Sequence, residues 1–303
     1  MTVRVYKSTG SWYIVKDEQG NFLKARIKGR FKMDEITSTN PIAVGDMVDV
    51  EPENELEGSF MITHIHERKN YINRQSPARR MRHHIIASNI DQSILVATLR
   101  SPRTSQGFID RFLVASESYH VPAYILFNKS DLFGPQEKQH FSYWNEMYQA
   151  IGYKVLLVSA ITGEGMGSLR EILCDRTTLM SGHSGVGKST LINALIPDLT
   201  LRTTEVSDWS GKGMHTTTFA EMFDLPFGGS IIDTPGMREF GLVDIGEGEL
   251  SHYFPEMRNR LQECQFNNCR HLNEPGCAIK LAVENGDINI DRYGSYLSIL
   301  ETL

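Results

Sequence analysis

Gly182-His183-Ser184-Gly185-Val186-Gly187-Lys188-Ser189 and Asn128-Lys129-Ser130-Asp131 are the two stretches whose reading decides the fold. The first has the composition of a phosphate-binding loop. Its glycines let backbone N–H groups close around phosphate oxygens. Lys188 then reaches the β- and γ-phosphates, the Ser189 hydroxyl suits Mg²⁺, and Thr190 continues the loop into a helix expected over residues 188–195. The second stretch reads a guanine base. The Asp131 carboxylate can accept from the guanine ring N–H and its exocyclic amine together, a donor pair that adenine lacks. Asn128 braces loop and purine, with Lys129 and Ser130 between them, and Ser159-Ala160 offers a backbone N–H to the base carbonyl.

Order is the informative part. In small GTPases the phosphate loop precedes the base reader; here it follows by some fifty residues, which predicts a circularly permuted domain. Asp233-Thr234-Pro235-Gly236 completes the set, with Asp233 expected to hold Mg²⁺ through water and the Gly236 N–H to sense the γ-phosphate. Between them, Gly211-Lys212-Gly213-Met214-His215-Thr216-Thr217-Thr218 suits a segment that orders on Mg²⁺-GTP. One of its threonines should ligate Mg²⁺, and Thr217 is the choice carried forward. Met237 stands where a water-orienting glutamine is expected, so His215 becomes the candidate for positioning the attacking water.

Around this core, residues 1–72 read as short strands with turns at residues 17–20 and at Gly45-Asp46, which predicts a small β-barrel of the OB type. Residues 73–244 alternate strands and helices and predict a mostly parallel sheet. Residues 245–303 are polar, helical and cysteine-bearing. There Cys264, Cys269, His271 and Cys277 bring three thiols and an imidazole within fourteen residues, the soft donor set of a closed tetrahedral Zn²⁺ site, one ion per chain. Cys174 lies apart and is expected in the core.

The net charge is −6, unevenly spread. Residues 1–84 hold 14 Lys+Arg against 11 Asp+Glu, so +3; the remainder holds 31−14 = 17 against 37−11 = 26, so −9. Lys24, Arg26, Lys28, Arg30 and Lys32 alternate along one stretch and would share a strand face. With Arg74, Arg79, Arg80, Arg82, His83 and His84 they suggest contact with RNA phosphates. No run approaches the length of a membrane span, and no apolar leader follows Met1, so a cytoplasmic protein without membrane attachment is expected.

With barrel, permuted nucleotide domain and Cys/His tail in this sequence, the chain resembles the small-ribosomal-subunit-dependent GTPase family, RsgA/YjeQ, over nearly its whole length. The resemblance rests on residues 128–131 ahead of 182–189, on the Gly-x-His-Thr-Thr-Thr run ending at Thr218, and on the cysteine spacing ending at Cys277. It implies an OB barrel, a permuted GTPase core and a zinc domain. It also implies GTP hydrolysis stimulated by the small subunit, a late role in that subunit's maturation, rRNA contacts through the outer domains, and a part in hydrolysis for His215. A monomer is expected. Two other readings stay open: a permuted GTPase with a non-ribosomal role, and a zinc and OB RNA-binding protein whose GTP site is mainly structural.

Overall fold

Five short strands come first: β1 (Thr2–Ser8), β2 (Tyr13–Lys16), β3 (Phe22–Ile27), β4 (Met47–Asn54) and β5 (Ser59–Ile65). The structure is a computed structural model, and it describes residues 1–10, 12–27, 41–54, 58–75, 83–199, 201, 220–234, 242 and 245–303. β1 pairs β2, β2 pairs β3, β3 runs parallel to β5, β5 pairs β4, and β4 returns to β1. The ring therefore closes, as an OB barrel does. Alternation drives it: Val3, Val5, Tyr13, Val15, Ala25, Val48, Val50 and Ile62 point inward and are almost fully buried. The register of β1 on β2 shifts between Val5 and Lys7. Tyr6, next to inward-facing Val5, points away from the barrel interior by alternation alone and joins the core of the following domain.

A hairpin, β6 (Tyr71–Gln75) on β7 (His83–Ser88), leads out of the barrel. Then come β8 (Gln92–Ala97), α1 (Gln106–Ser118), β9 (Ala123–Phe127), α2 (Pro135–Ala150), β10 (Lys154–Leu157), α3 (Met166–Leu173), β11 (Thr177–Ser181), α4 (Lys188–Leu195), β12 (Glu221–Asp224) and β13 (Ser230–Asp233). Their sheet has the order β10-β9-β8-β11-β13-β12. The first five are parallel and β12 runs antiparallel at the edge. From β8 the chain steps outward through β9 to β10, then crosses back so that β11 lies on the opposite side of β8. That reversal is a topological switch point, where ligands bind beyond the carboxyl ends of the strands. β8 is buried at every position, as a strand covered on both faces must be. The outer edge of β12 pairs with β1 at Lys7↔Glu221, so barrel and sheet are hydrogen-bonded together.

The last segment contains α5 (Pro255–Arg258), α6 (Ala278–Glu284) and α7 (Ile290–Leu300). Ile245, Leu250, Phe254, Met257, Ile279, Tyr296 and Ile299 form its core, and Val114 of α1 belongs to the same cluster. Where they meet, Arg292 is completely buried. Its Nη1 donates to Asp110 Oδ1 at 2.5 Å, and its Nε donates to Glu256 Oε1 at 2.7 Å. The Tyr148 hydroxyl donates to the same Asp110 oxygen at 2.8 Å. Helix α1 thus serves both domains.

One expectation fails here. Cys174 is exposed rather than in the core. Helix α3 ends at this residue, and its thiol donates to the carbonyl of Phe227 at 3.2 Å. Among the described residues, no helix is long and apolar enough to cross a membrane.

Candidate nucleotide site and metal centre

The base-reading and phosphate-binding stretches lie at the carboxyl ends of β9 and β11 and are tied directly to each other. Asn128 is buried, and its Nδ2 donates to the Val186 carbonyl at 2.9 Å. Lys129 adopts the left-handed conformation, φ 64° and ψ 39°, which turns its side chain back over the phosphate loop. Its ammonium donates to Gly185 O at 2.7 Å and also to Ser101 O. The approach is close enough to demand glycine. At Gly187, φ is +94°, and an added Cβ would stand 2.4 Å from Asn128 Nδ2.

Asp131 Oδ1 accepts from the buried Ser159 hydroxyl at 2.6 Å. The same hydroxyl accepts from the Thr162 N–H, and Ser159 N donates to Glu164 O. The Glu164 side chain accepts from Ser130 Oγ. Thus the loop after β10, with Ala160, is fastened beside the base reader and fixes how the Asp131 carboxylate points.

On the phosphate side, Lys188 is buried, and its ammonium donates to Gly182 O at 2.7 Å and to His183 O at 3.3 Å. Burial pulls it below the usual lysine value, while the neighbouring Asp233 carboxylate works against that pull. Burial pushes the Asp233 carboxyl up to about 6; Lys188 opposes the rise and Glu221 adds to it. Asp233 Oδ1 is buried with no hydrogen-bond partner. An orphaned carboxylate oxygen beside a serine-headed helix is the donor chemistry a hard cation needs, so these residues fit Mg²⁺. Ser184, Ser189 and Thr190 follow the loop into α4. The His183 ring stacks on Phe108 of α1, centroids 3.6 Å apart.

His215, Thr216, Thr217, Thr218, Gly236 and Met237 lie outside the described residues, as do Lys28, Arg30, Lys32, Arg79, Arg80 and Arg82. Of the basic strand, Lys24 and Arg26 are seen on the outer face of β3, with Ala25 buried between them. The Arg26 charge is answered within the protein. Its Nε donates to both carboxylate oxygens of Glu53, and its guanidinium lies over the Trp12 ring.

Cys264, Cys269, His271 and Cys277 converge. Their donor atoms all lie within 4.8 Å of one another. Imidazole Nδ1 is the inward nitrogen, 3.4 Å from Cys277 Sγ and 3.7 Å from Cys264 Sγ. Burial pulls His271 below its usual value and keeps it neutral, a ligand form. The Cys269 thiol is pushed up to about 12 by burial, and its neighbours Cys277 and Cys264 add to that rise. Three thiols and an imidazole whose donor atoms converge this closely are a soft donor set that fits a metal ion. The loop is anchored from α7, where the Tyr293 hydroxyl donates to His271 O at 2.6 Å and the Tyr296 hydroxyl donates to Arg270 O at 2.8 Å.

Four contributors have no local signature in the sequence: the Ser101 carbonyl, Phe108 and the two tyrosines of α7. Glu164 carried a faint signal, because Gly163 and Gly165 around it mark a tight turn just after β10.

A phosphate loop after β11, a base reader after the earlier strand β9 with only β8 between them, and an OB barrel in front define a circularly permuted GTPase. A model of the RsgA GTPase matches residues 65–243, and one of the RsgA N-terminal domain matches residues 3–60. The chain belongs to the RsgA GTPase family and is a GTP-hydrolysing enzyme. It is 51% identical over 302 residues to a Flavobacterium psychrophilum protein named small ribosomal subunit biogenesis GTPase RsgA, covering 99% of this chain and 93% of that one. A Bacteroides fragilis protein of the same name is 50% identical over 297 residues, covering 98% and 95%. Among solved structures, YjeQ from Thermotoga maritima superposes with a TM-score of 0.80 at 34% identity, covering 100% of this chain and 98% of that one. YloQ, described as a circularly permuted GTPase, gives 0.72 at 31% identity, covering 99% and 94%.

Proposed function

We propose that this chain hydrolyses GTP in response to the small ribosomal subunit and acts in the late maturation of that subunit. The observation that carries the reading is the direct tie between base reader and phosphate loop, Asn128 to Val186 and Lys129 to Gly185, at the switch point of a permuted sheet. The names of the relatives supply the ribosomal partner.

In this reading Asp131 selects guanine, oriented by Ser159, while Asn128 and Lys129 hold the base loop against the phosphates. Backbone N–H groups of residues 182–189 cradle the phosphates, and Lys188 leaves its carbonyl partners to meet the β- and γ-oxygens. Ser189, Thr217 and Asp233 hold Mg²⁺, which when bound offsets phosphate charge. Gly236 senses the γ-phosphate, and His215 positions the attacking water. Cys264, Cys269, His271 and Cys277 hold one structural Zn²⁺. Lys24 and its neighbours meet rRNA phosphates, with Arg26 contributing through the Trp12 face rather than as an unpaired charge. The protein works in the cytoplasm as a monomer.

Turnover of GTP and ATP, measured with and without purified small subunits, tests this. Expected are a selective preference for GTP and a rise in turnover when subunits are added. Equal use of ATP would defeat the base-reader assignment. Turnover indifferent to subunits would favour a permuted GTPase acting elsewhere.

A further inference from the structure

Lys7, Glu221 and Asp233 stand abreast on three neighbouring strands. β1 pairs β12 at Lys7↔Glu221, and β12 pairs β13 at Glu221↔Asp233. Residues directly opposite in antiparallel strands share one face of the sheet, with Cβ atoms roughly 5 Å apart. Lys7 Nζ lies 2.7 Å from Glu221 Oε2, and both side chains are only partly exposed, at 36% and 28%. The next residue across is Asp233, whose buried Oδ1 has no partner. Lys188 does not supply one, since its ammonium is turned to the carbonyls of Gly182 and His183. A second carboxylate therefore sits beside the one directed at the cation, and its counter-charge comes from a different domain.

We propose that Glu221 is a further determinant of the metal–nucleotide site, and that Lys7 of the barrel sets how much of its charge that site receives. This rests on the reading of Asp233 as a residue that holds Mg²⁺. Two neighbouring carboxylates bind a divalent cation more tightly than one, and an ammonium paired to the second withdraws part of that gain. β12 also directly follows the segment that carries Thr216–Thr218 in the sequence. Its far end is held by the barrel as well, because the Tyr6 hydroxyl donates to Asp224 Oδ1 at 2.6 Å and Lys16 pairs with Asp224. Whatever shifts β1 relative to this sheet shifts Glu221 with it.

The test is the Mg²⁺ concentration giving half-maximal binding of a fluorescent, non-hydrolysable GTP analogue to the full chain. Glu221→Gln should raise it about three- to tenfold, a few tenths to one power of ten for a partly screened charge. Lys7→Met should lower it by a similar factor, and Lys7→Arg should restore the wild-type value. In the Glu221→Gln background, Lys7→Met should have no further effect, because its influence passes through Glu221. Circular dichroism and thermal melts of each variant in EDTA serve as the folding control. An unchanged midpoint for Glu221→Gln overturns the proposal, and so does an equal effect of Lys7→Met in both backgrounds. Asp233→Asn separates the two levels. If it abolishes the Mg²⁺ dependence while Glu221→Gln does nothing, only this inference falls. If it too does nothing, the assignment of Asp233 falls first.

Discussion

In the proposed reading Asp131 carries the choice of base, and the Ser159 hydroxyl donates to it at 2.6 Å. Replacing Asp131 with Asn swaps one acceptor pair for a mixed donor and acceptor. The variant should lose guanine-nucleotide affinity by at least about a hundredfold, two charge-assisted bonds, and gain preference for xanthine nucleotide. Competition binding with the two nucleotides checks this. Asp233 behaves differently, since its cost is paid in the folded protein. Its pKa is raised from 3.8 to about 6, so the metal-free fold loses stability as pH rises through that window and stays low above it. Asp233→Asn never carries the charge. In EDTA the variant should therefore be more stable than wild type by roughly 2–3 kcal/mol at pH 8, with the gap closing towards pH 4. Thermal melts at both pH values give the difference, and a variant less stable at pH 8 would contradict it. These residues were legible because their loops follow apolar strand runs at fixed offsets. Glu53 as the partner of Arg26 was not legible, because it sits 27 residues away across β5 and no local pattern joins them. Cys174 misled for a related reason: cysteine's preference for the interior gave way to its place at a helix end.

At the scale of elements, the parallel strands were readable and the edge was not. β8, β9 and β11 are apolar runs bounded by turn residues, which periodicity detects. β12 is four residues long and half polar, and only its pairing with β13 and β1 makes it a strand. The hairpin β6–β7 escaped notice because the basic residues around 74–84 read as a patch for RNA phosphates and not as strands. The metal-binding stretch was read from spacing alone, and the fold supplies what spacing could not: inward Nδ1 geometry and the two tyrosine anchors. Removing the metal tests whether that stretch has stability of its own. With a strong chelator, or in Cys269→Ser, amide exchange should accelerate throughout residues 264–277 while β8–β11 keep their protection, because so small a loop draws much of its folding energy from the ion. Unchanged exchange in a protein shown by elemental analysis to lack metal would contradict this.

At the scale of the whole molecule, Arg292 joins the C-terminal domain to α1 through a fully buried ion pair with Asp110, and Glu256 of α5 is its second carboxylate partner. Removing Asp110 leaves the buried guanidinium with Glu256 alone, its Nη1 without an acceptor, and the Tyr148 hydroxyl unpaired. Asp110→Ala should cost about 3–5 kcal/mol and separate the C-terminal domain's unfolding from that of the sheet, giving two transitions in urea where wild type gives one. A single unshifted transition would show that the apolar contacts around Val114 suffice. Nothing in the sequence pointed to this pair, since buried arginines have no pattern of their own.

The strand order also bears on how the chain is built. Synthesis delivers β8, β9 and β10 well before β11, the strand that lies against the open side of β8. Until residue 181 has emerged, a nascent chain holds half a sheet whose β8, buried at every position in the finished fold, presents an unpaired edge. Such edges recruit other chains. Permutation thus puts β8 at the open edge during translation, where the unpermuted order, with the phosphate-loop strand made first, would leave β11 there instead. The barrel, complete by residue 65 and closed on itself, offers no such edge, so the chain reaches its vulnerable stage with one domain already folded.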